Sequence, residues 1–255
     1  MRISKGRMKK PQITLVIPAR NEESVIIKTI KRIENEVEIP YSIVVVDDGS
    51  LDTTFKVVND YSRKNNKVAL IKNKGRHGFA SALKLGFSKA RTEYVIPVMA
   101  DLCDDPQAIN TMYKLAQKGK ADIVCGSRYM PGGSKIGGPL LQGLMSMLVC
   151  KSLRVFTGVQ TWDVSNAFKL YRKSILNKIR FNIESGVEIS MELTLQAFFK
   201  GAKIAELPTS WKGRTVGKSK FNILRSTPRY TRIYFWALEN TVRKKLNLGF
   251  KKFYA

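Results

Sequence analysis

A chain of 255 residues, 44% of them hydrophobic, can bury a substantial core and reads as one large domain or a domain with an appendage. Its 45 basic residues against 20 acidic ones give a net charge of +25, which favours polyanionic partners: nucleic acid, an anionic membrane or phosphorylated substrates. Cys103, Cys125 and Cys150 are too few and too scattered for a disulfide framework or a paired metal site, and fit free thiols in a reducing compartment.

Residues 1–10 form a basic arm. The β-branched and aliphatic run at 13–17 is too short for a secretory signal and ends in Pro18, so it reads as a strand. The turn Pro18-Ala19-Arg20-Asn21 opens a helix running to about residue 36, with Asn21 or Ser24 as cap and Glu22 and Glu23 in its positive first turn. A second strand at 43–46 stops in Asp47-Asp48-Gly49-Ser50, and Asp52 caps the helix that follows. A third strand at 68–71 leads to the basic turn Asn73-Lys74-Gly75-Arg76-His77-Gly78, placed to meet a phosphate or to serve only as a turn, and to a helix over 79–90. His77, the one histidine, reads as a turn residue.

The fourth strand, at 94–98, runs into Met99-Ala100-Asp101-Leu102-Cys103-Asp104-Asp105-Pro106. Acids at the carboxyl end of a strand lie where open α/β sheets bind ligands, and such a cluster can hold a divalent cation against a phosphate. On the plainer reading Asp104 or Asp105 caps the next helix, over 106–118, and Asp101 is a solvated loop acid. Strands at 122–124, 167–171 and 203–207 alternate with helices at 172–179 and 188–200. This order predicts a mostly parallel sheet with helices on both faces, so that Asp47, Asp48 and Asp101 share one edge.

Between these elements, residues 140–156 form an apolar helix carrying Lys151 and Arg154, and no acid occurs between Asp122 and Asp163. It is either an interfacial membrane helix or an ordinary core helix, and no run reaches the length of a membrane span. Residues 211–220 read as a mobile basic loop and 225–246 as a basic, aromatic-rich amphipathic tail. With no linker or repeat, the expected organisation is the arm (1–10), a catalytic domain (11–224) and the tail (225–255).

The order of these segments resembles the family-two glycosyltransferases of the GT-A fold. Pro18-Ala19-Arg20-Asn21-Glu22 is similar to the family's opening turn, and Val46-Asp47-Asp48-Gly49-Ser50 to its nucleotide-reading motif. Asp101 stands at the second Asp of its Asp-x-Asp metal motif. Gly126-Ser127-Arg128-Tyr129 with Gly132-Gly133, Asp163 to Arg172, and Arg214-Thr215-Val216-Gly217-Lys218-Ser219-Lys220 resemble the dolichyl- or polyprenyl-phosphate mannosyltransferases. Together the motifs cover residues 12–223. Met99 replaces the first metal-motif Asp, Cys103 a residue that is usually Gln or small and polar, and Arg20 one that is commonly aromatic.

The resemblance implies transfer of a sugar from a GDP- or UDP-linked donor to a polyprenyl or dolichyl monophosphate, assisted by a divalent metal, Mg or Mn. It implies nucleotide contacts from Pro18, Arg20, Glu22, Val46, Asp48, Met99, Ala100 and Asp101, and a metal held by Asp101 with Cys103 and Asp104. Asp101, Arg128, Arg214 and Lys220 would face the reacting phosphates. It also implies a cytoplasmic enzyme, peripheral on an anionic membrane. The competing readings are a family-two enzyme with a glycan or other soluble acceptor, and a basic nucleic-acid module. No nucleic-acid motif supports the latter.

Overall fold

The computed structural model describes residues 10–182, 186–214 and 223–253. In chain order these form β1 (Ile13–Ala19), α1 (Ile26–Glu36), β2 (Tyr41–Asp47), α2 (Thr54–Lys64), β3 (Val68–Lys72), α3 (Phe79–Lys89), β4 (Tyr94–Pro97), α4 (Ala108–Gly119) and β5 (Ile123–Ser127). They continue as β6 (Ser134–Ile136), α5 (Leu140–Thr157), β7 (Lys169–Arg172), α6 (Lys173–Leu176), α7 (Ile189–Phe199), β8 (Ile204–Pro208), β9 (Ser210–Lys212) and α8 (Ile223–Lys245). The main sheet has the order β3-β2-β1-β4-β7-β5-β8, and only β7 runs antiparallel to its neighbours.

The alternation of side chains along each strand sorts the core into two layers. Ile13, Leu15, Ile17, Ile43, Val45 and Ile96 point to one face, under Ile26, Ile30 and Ile33 of α1 and Ile109 and Met112 of α4. Val16, Val44, Val46, Val95 and Ile123 point to the other, against Leu83 and Phe87 of α3 and Ile189 and Leu193 of α7. Burial on both faces explains why the central strands read as unbroken apolar runs. Gly86 sets the depth at which α3 sits: a Cβ there would lie 2.2 Å from Val16 Cγ1.

A third cluster joins α5, α7 and α8 through Cys150, Leu153, Met191, Leu195, Ile233, Trp236 and Phe253. Trp236, expected on a basic tail beside Tyr230, Tyr234 and Phe235, is therefore a core residue. Its ring meets Phe199, Phe250 and Phe253 edge-on.

Some boundaries differ from the sequence reading, each for a tertiary reason. α1 begins at Ile26 because the residues expected in its first turn hold the α2 entrance: Asn21 Oδ1 accepts from Leu51 N at 2.8 Å and Glu23 Oε2 from Thr53 N at 2.7 Å. Trp211 and Lys212, expected in a mobile loop, form β9 and pair in parallel with β6. Strands of three residues carry too little alternation to be read from sequence. Residues 215–220 of that expected loop, Lys220 among them, lie outside the described residues, as does all of the basic arm but Lys10. α5 spans 18 residues and is, among the described residues, the one helix long and apolar enough by composition to cross a membrane, beyond what its sequence suggested.

Candidate active site

The parallel strands end along one edge, and there the acids gather. Asp48 follows β2 and is nearly buried; its Oδ1 accepts from Asn73 Nδ2 at 2.7 Å and its Oδ2 from Gly78 N at 2.8 Å. His77 Nδ1 lies 3.4 Å from Oδ1, and the imidazole packs on Gly49, where a Cβ would come within 2.7 Å of the ring. Gly49 has φ +76°, so backbone and space both require glycine. The basic turn thus holds Asp48 in place. Asp47 is also buried, and its Oδ1 has no hydrogen-bond partner among the described residues. It is an acceptor without a donor at a ligand-binding edge.

The loop after β4 folds back on itself. Asp104, expected as a metal ligand or cap, is buried and turned inward, accepting from Met99 N at 2.9 Å, while Arg32 Nη1 donates to its carbonyl at 3.1 Å. Burial pushes its carboxyl up to about 7 against the pull of the Met99 amide, and the charge of Asp101 adds to the rise. Cys103 is buried as well, its Sγ directed at Asp101 O at 3.7 Å. Burial, then the contact with Asp101, holds that thiol protonated. Both side chains are turned away from the edge, and among the described residues no group of three His, Cys, Asp or Glu converges on a point. Asp105 Oδ1 accepts from Gln107 N at 3.2 Å in the turn that leads into α4, whose N-cap position is Gln107 with no side-chain cap.

Asp101 itself faces the edge and meets Glu22 across Arg214. The guanidinium Nη2 lies 2.8 Å from Asp101 Oδ2 and 3.5 Å from Glu22 Oε1. Two carboxylates from distant segments therefore share one cation, and Glu22 is the partner of Asp101 that the motif around Met99 does not supply. A divalent ion fits this pair: Mg and Mn commonly use one or two carboxylates and take their other ligands from phosphate and water. Arg214 reaches the site because Lys212 N donates to Cys103 O at 3.1 Å and Gly213 N to Ile136 O at 2.8 Å.

The remaining nucleotide positions divide. Pro18 and Met99 are half-buried at the edge and Arg20 is exposed there, whereas Val46 and Ala100 are buried in the layers beneath. Val46 packs with Val16 and Leu83, so its side chain supports the edge instead of facing a ligand.

Arg128, expected to face phosphate, is committed elsewhere. Its Nε and Nη2 donate to the two oxygens of Asp163 at 2.7 and 2.9 Å, Nη2 also to Ser165 Oγ at 3.0 Å, and its amide to Asp163 Oδ2 at 3.1 Å. Among the described residues only Nη1 has no hydrogen-bond partner. Asp163 is fully buried, and although burial alone would raise its carboxyl, the Arg128 charge and hydrogen bonds hold it below the usual range. Cys150 of α5 directs its thiol at Asp163 Oδ1 (3.9 Å) and Ser146 Oγ lies 2.9 Å from Ser165 Oγ, so α5 is fastened to this pair. Beneath it Lys169, fully buried, donates to the carbonyls of Val164 and Asn166.

The outer side of α5 is open. Leu140, Leu141, Leu144, Met145, Leu148, Val155 and Phe156 are all exposed, Leu140 to 77%.

Compared with known proteins, the described family "Glycosyl transferase family 2" matches residues 14–180. The chain belongs to this family. It is 29% identical over 214 residues to a dolichol-phosphate mannosyltransferase of Pyrococcus furiosus, covering 82% of this chain and 59% of that protein. It is 26% identical over 214 residues to a polyprenol monophosphomannose synthase of Mycolicibacterium smegmatis, covering 82% of this chain and 80% of the relative. The chain thus spans less than two thirds of the Pyrococcus relative. Among solved structures, the mannosyltransferase PcManGT of Pyrobaculum calidifontis, in complex with GDP-Man and Mn2+, matches with a TM-score of 0.62 at 17% identity, over 94% of this chain and 66% of that one. This likeness shows the GT-A fold, and membership of the family makes the protein a glycosyltransferase.

Proposed function

We propose that the protein transfers a hexose, of mannose type, from a nucleoside diphosphate sugar to a polyprenyl or dolichyl monophosphate at an anionic membrane face of the cytoplasm. The observation that carries this reading is the continuity of two surfaces. The edge with Asp101, Glu22 and Arg214 is the proposed diphosphate site, and the open apolar face of α5 starts close by, since Gly213, next to Arg214, lies against Gly138 just before Leu140. The names of the Pyrococcus and Mycolicibacterium relatives support the same acceptor class.

In this reaction an acceptor phosphate oxygen forms a bond to the anomeric carbon while the bond from that carbon to the diphosphate breaks, and the nucleoside diphosphate leaves. The acceptor is already ionised near neutral pH, so no general base is required, in contrast to glycosidases with their paired carboxylates. Catalysis consists of positioning and of neutralising the leaving group. Asp48, fixed by Asn73 and Gly78, and Asp47 offer acceptors to the base and ribose. Arg214 moves its charge from the two carboxylates to the diphosphate, and Lys220 is a further proposed phosphate contact. Arg128 and Asp163 hold the floor of the acceptor side. Asp101 and Glu22 would hold a divalent metal, Mg or Mn, which when bound supplies positive charge to the diphosphate.

α8 supports membrane attachment with Arg243, Lys244 and Lys245 in its last turn. Each such charge near an anionic surface is worth about 1 kcal/mol at modest salt.

The deciding experiment incubates the protein with polyprenyl phosphate and a panel of labelled nucleotide sugars, then extracts with organic solvent. The expected result is label in the organic phase with one donor, acid-labile and dependent on the lipid phosphate. Label that stays in a water-soluble product with every donor overturns the reading.

A further inference from the structure

Lys135, a cation beside the site, has no carboxylate within ion-pair distance among the described residues. It lies on β6, half-buried, with its ammonium 5.2 Å from the centre of the Trp211 ring. Among the described residues it makes one hydrogen bond, to Gly137 O at 3.0 Å. Nor can the local sequence offer a carboxylate, since no acid occurs between Asp122 and Asp163. Arg128 is a like charge nearby, and burial together with that charge lowers the lysine's pKa. A partly desolvated ammonium with two donors unspent is a cost to the empty protein.

The fold nevertheless makes room for it. A Cβ on Gly143, in the first turn of α5, would lie 3.1 Å from Lys135 Nζ, and one on Gly138 would lie 3.3 Å from both Nζ and the Trp211 ring. The lysine stem is thus held in a slot between an indole and two positions without side chains. The slot is coupled to the active site through one ribbon. Lys135 pairs with Trp211, and Gly213 N, next to Arg214, donates to Ile136 O. On its other side begin Leu140, Leu141 and Leu144, the open apolar surface.

We propose that Lys135 binds the phosphate monoester of the acceptor, between the Arg214 edge and the start of the apolar face of α5. The assignment rests on the acceptor chemistry proposed above. A phosphate seated there satisfies the spare ammonium donors, is drawn by the positive end of an 18-residue helix whose first turn holds no acid, and leaves an attached hydrocarbon against Leu140 and Leu144. The plainer role, a lysine stem covering Trp211, predicts no phosphate dependence.

The test titrates the full chain with farnesyl phosphate, farnesol and glycerol phosphate by calorimetry, for the wild type, Lys135→Gln and Lys135→Arg. Lys135→Met, which keeps the stem over Trp211, replaces the Gln variant should that one melt early. The expected result is that Lys135→Gln weakens farnesyl phosphate by at least about tenfold and raises the acceptor KM to match, while nucleoside diphosphate affinity stays within about twofold and Lys135→Arg recovers most of the loss. Unchanged farnesyl phosphate binding in a variant that still makes organic-soluble product overturns the role of Lys135 and leaves the proposed function standing. Equal losses for farnesol and farnesyl phosphate also overturn it, because the effect is then apolar packing. If the wild type makes no organic-soluble product but Lys135→Gln loses glycerol phosphate, the lysine serves a soluble phosphate acceptor and the lipid reading falls. Failure of both phosphates to bind the wild type overturns the proposal.

Discussion

Arg128 and Arg214 are the same residue type at the rim of the same sheet, and the fold uses them in opposite ways. Arg128 is forked onto a carboxylate that is entirely buried and has four contacts to that one loop. Arg214 Nη2 lies 2.8 and 3.5 Å from two carboxylates that each keep about a tenth of their side-chain surface exposed, Asp101 at 9% and Glu22 at 11%. The first pair is structure: breaking it strands a charge in the interior. The second is an exchangeable contact, since an arriving cation or diphosphate can replace either partner. The burial of the carboxylate partners, not residue type or proximity to the site, separates the two arginines.

The contrast can be broken most severely at Arg128. Arg128→Ala leaves Asp163 buried and unpaired, and the expected cost is roughly 3–5 kcal/mol of folding stability, read by denaturant titration. A loss below about 1 kcal/mol would place the pair with ordinary surface ion pairs.

Asp101→Ala sharpens the other half. It is expected to reduce transfer by about a hundredfold or more while the melting temperature stays near that of the wild type. Full activity with unchanged metal dependence would remove Asp101 from the site.

Asp104, buried in the same loop, should show itself in the pH profile. Its folded-state value, pushed up to about 7, lies above its unfolded one near 3.8, so the native state binds the extra proton in that window. Stability from this group is full below pH 4 and falls as pH rises through 7, by up to about 1.4 kcal/mol per pH unit. Asp104→Asn, which keeps an acceptor for the Met99 amide, is expected to flatten the profile measured by thermal melts from pH 4 to 8.

For Arg214→Ala the stability loss is expected to be smaller than for Arg128→Ala, because Glu22 and Asp101 keep 11% and 9% of their side-chain surface exposed and Asp163 none. Nucleoside diphosphate affinity, measured by calorimetry, should nevertheless drop by about tenfold.

Most of the fold was legible because the central strands are buried on both faces and write themselves as runs such as Ile43-Val44-Val45-Val46, with acids or glycines where they stop. The candidate site was legible where a motif residue follows a strand, as Asp48 follows β2 and Asp101 comes after β4. It was not legible where function depends on pairing across the chain. Glu22 reads as a helix-start acid and, by resemblance, as a nucleotide contact, but its sharing of Arg214 with Asp101 is not written in the sequence. Cys103 and Asp104 have ligand-like chemistry at ligand-like spacing, but the loop turns both inward, and only burial reveals that. Lys135 gives no signal at all, since its meaning comes from a strand of three residues and from the acids that are missing around it.

The single reversed strand has a wider consequence. Because β7 runs against β4 and β5, the chain that departs at Ser127 re-enters the sheet at Lys169 by the same rim. Everything between, including β6, α5 and the Asp163 loop, is an excursion whose two ends are neighbours: Gly126 N donates to Phe168 O, and Asn166 Nδ2 donates to Gly126 O. An excursion anchored at one rim can be lengthened, shortened or exchanged without rethreading the layers below. The architecture therefore lets the segment that carries β6 and α5 be rebuilt while the edge that carries Asp48 and Asp101 barely changes.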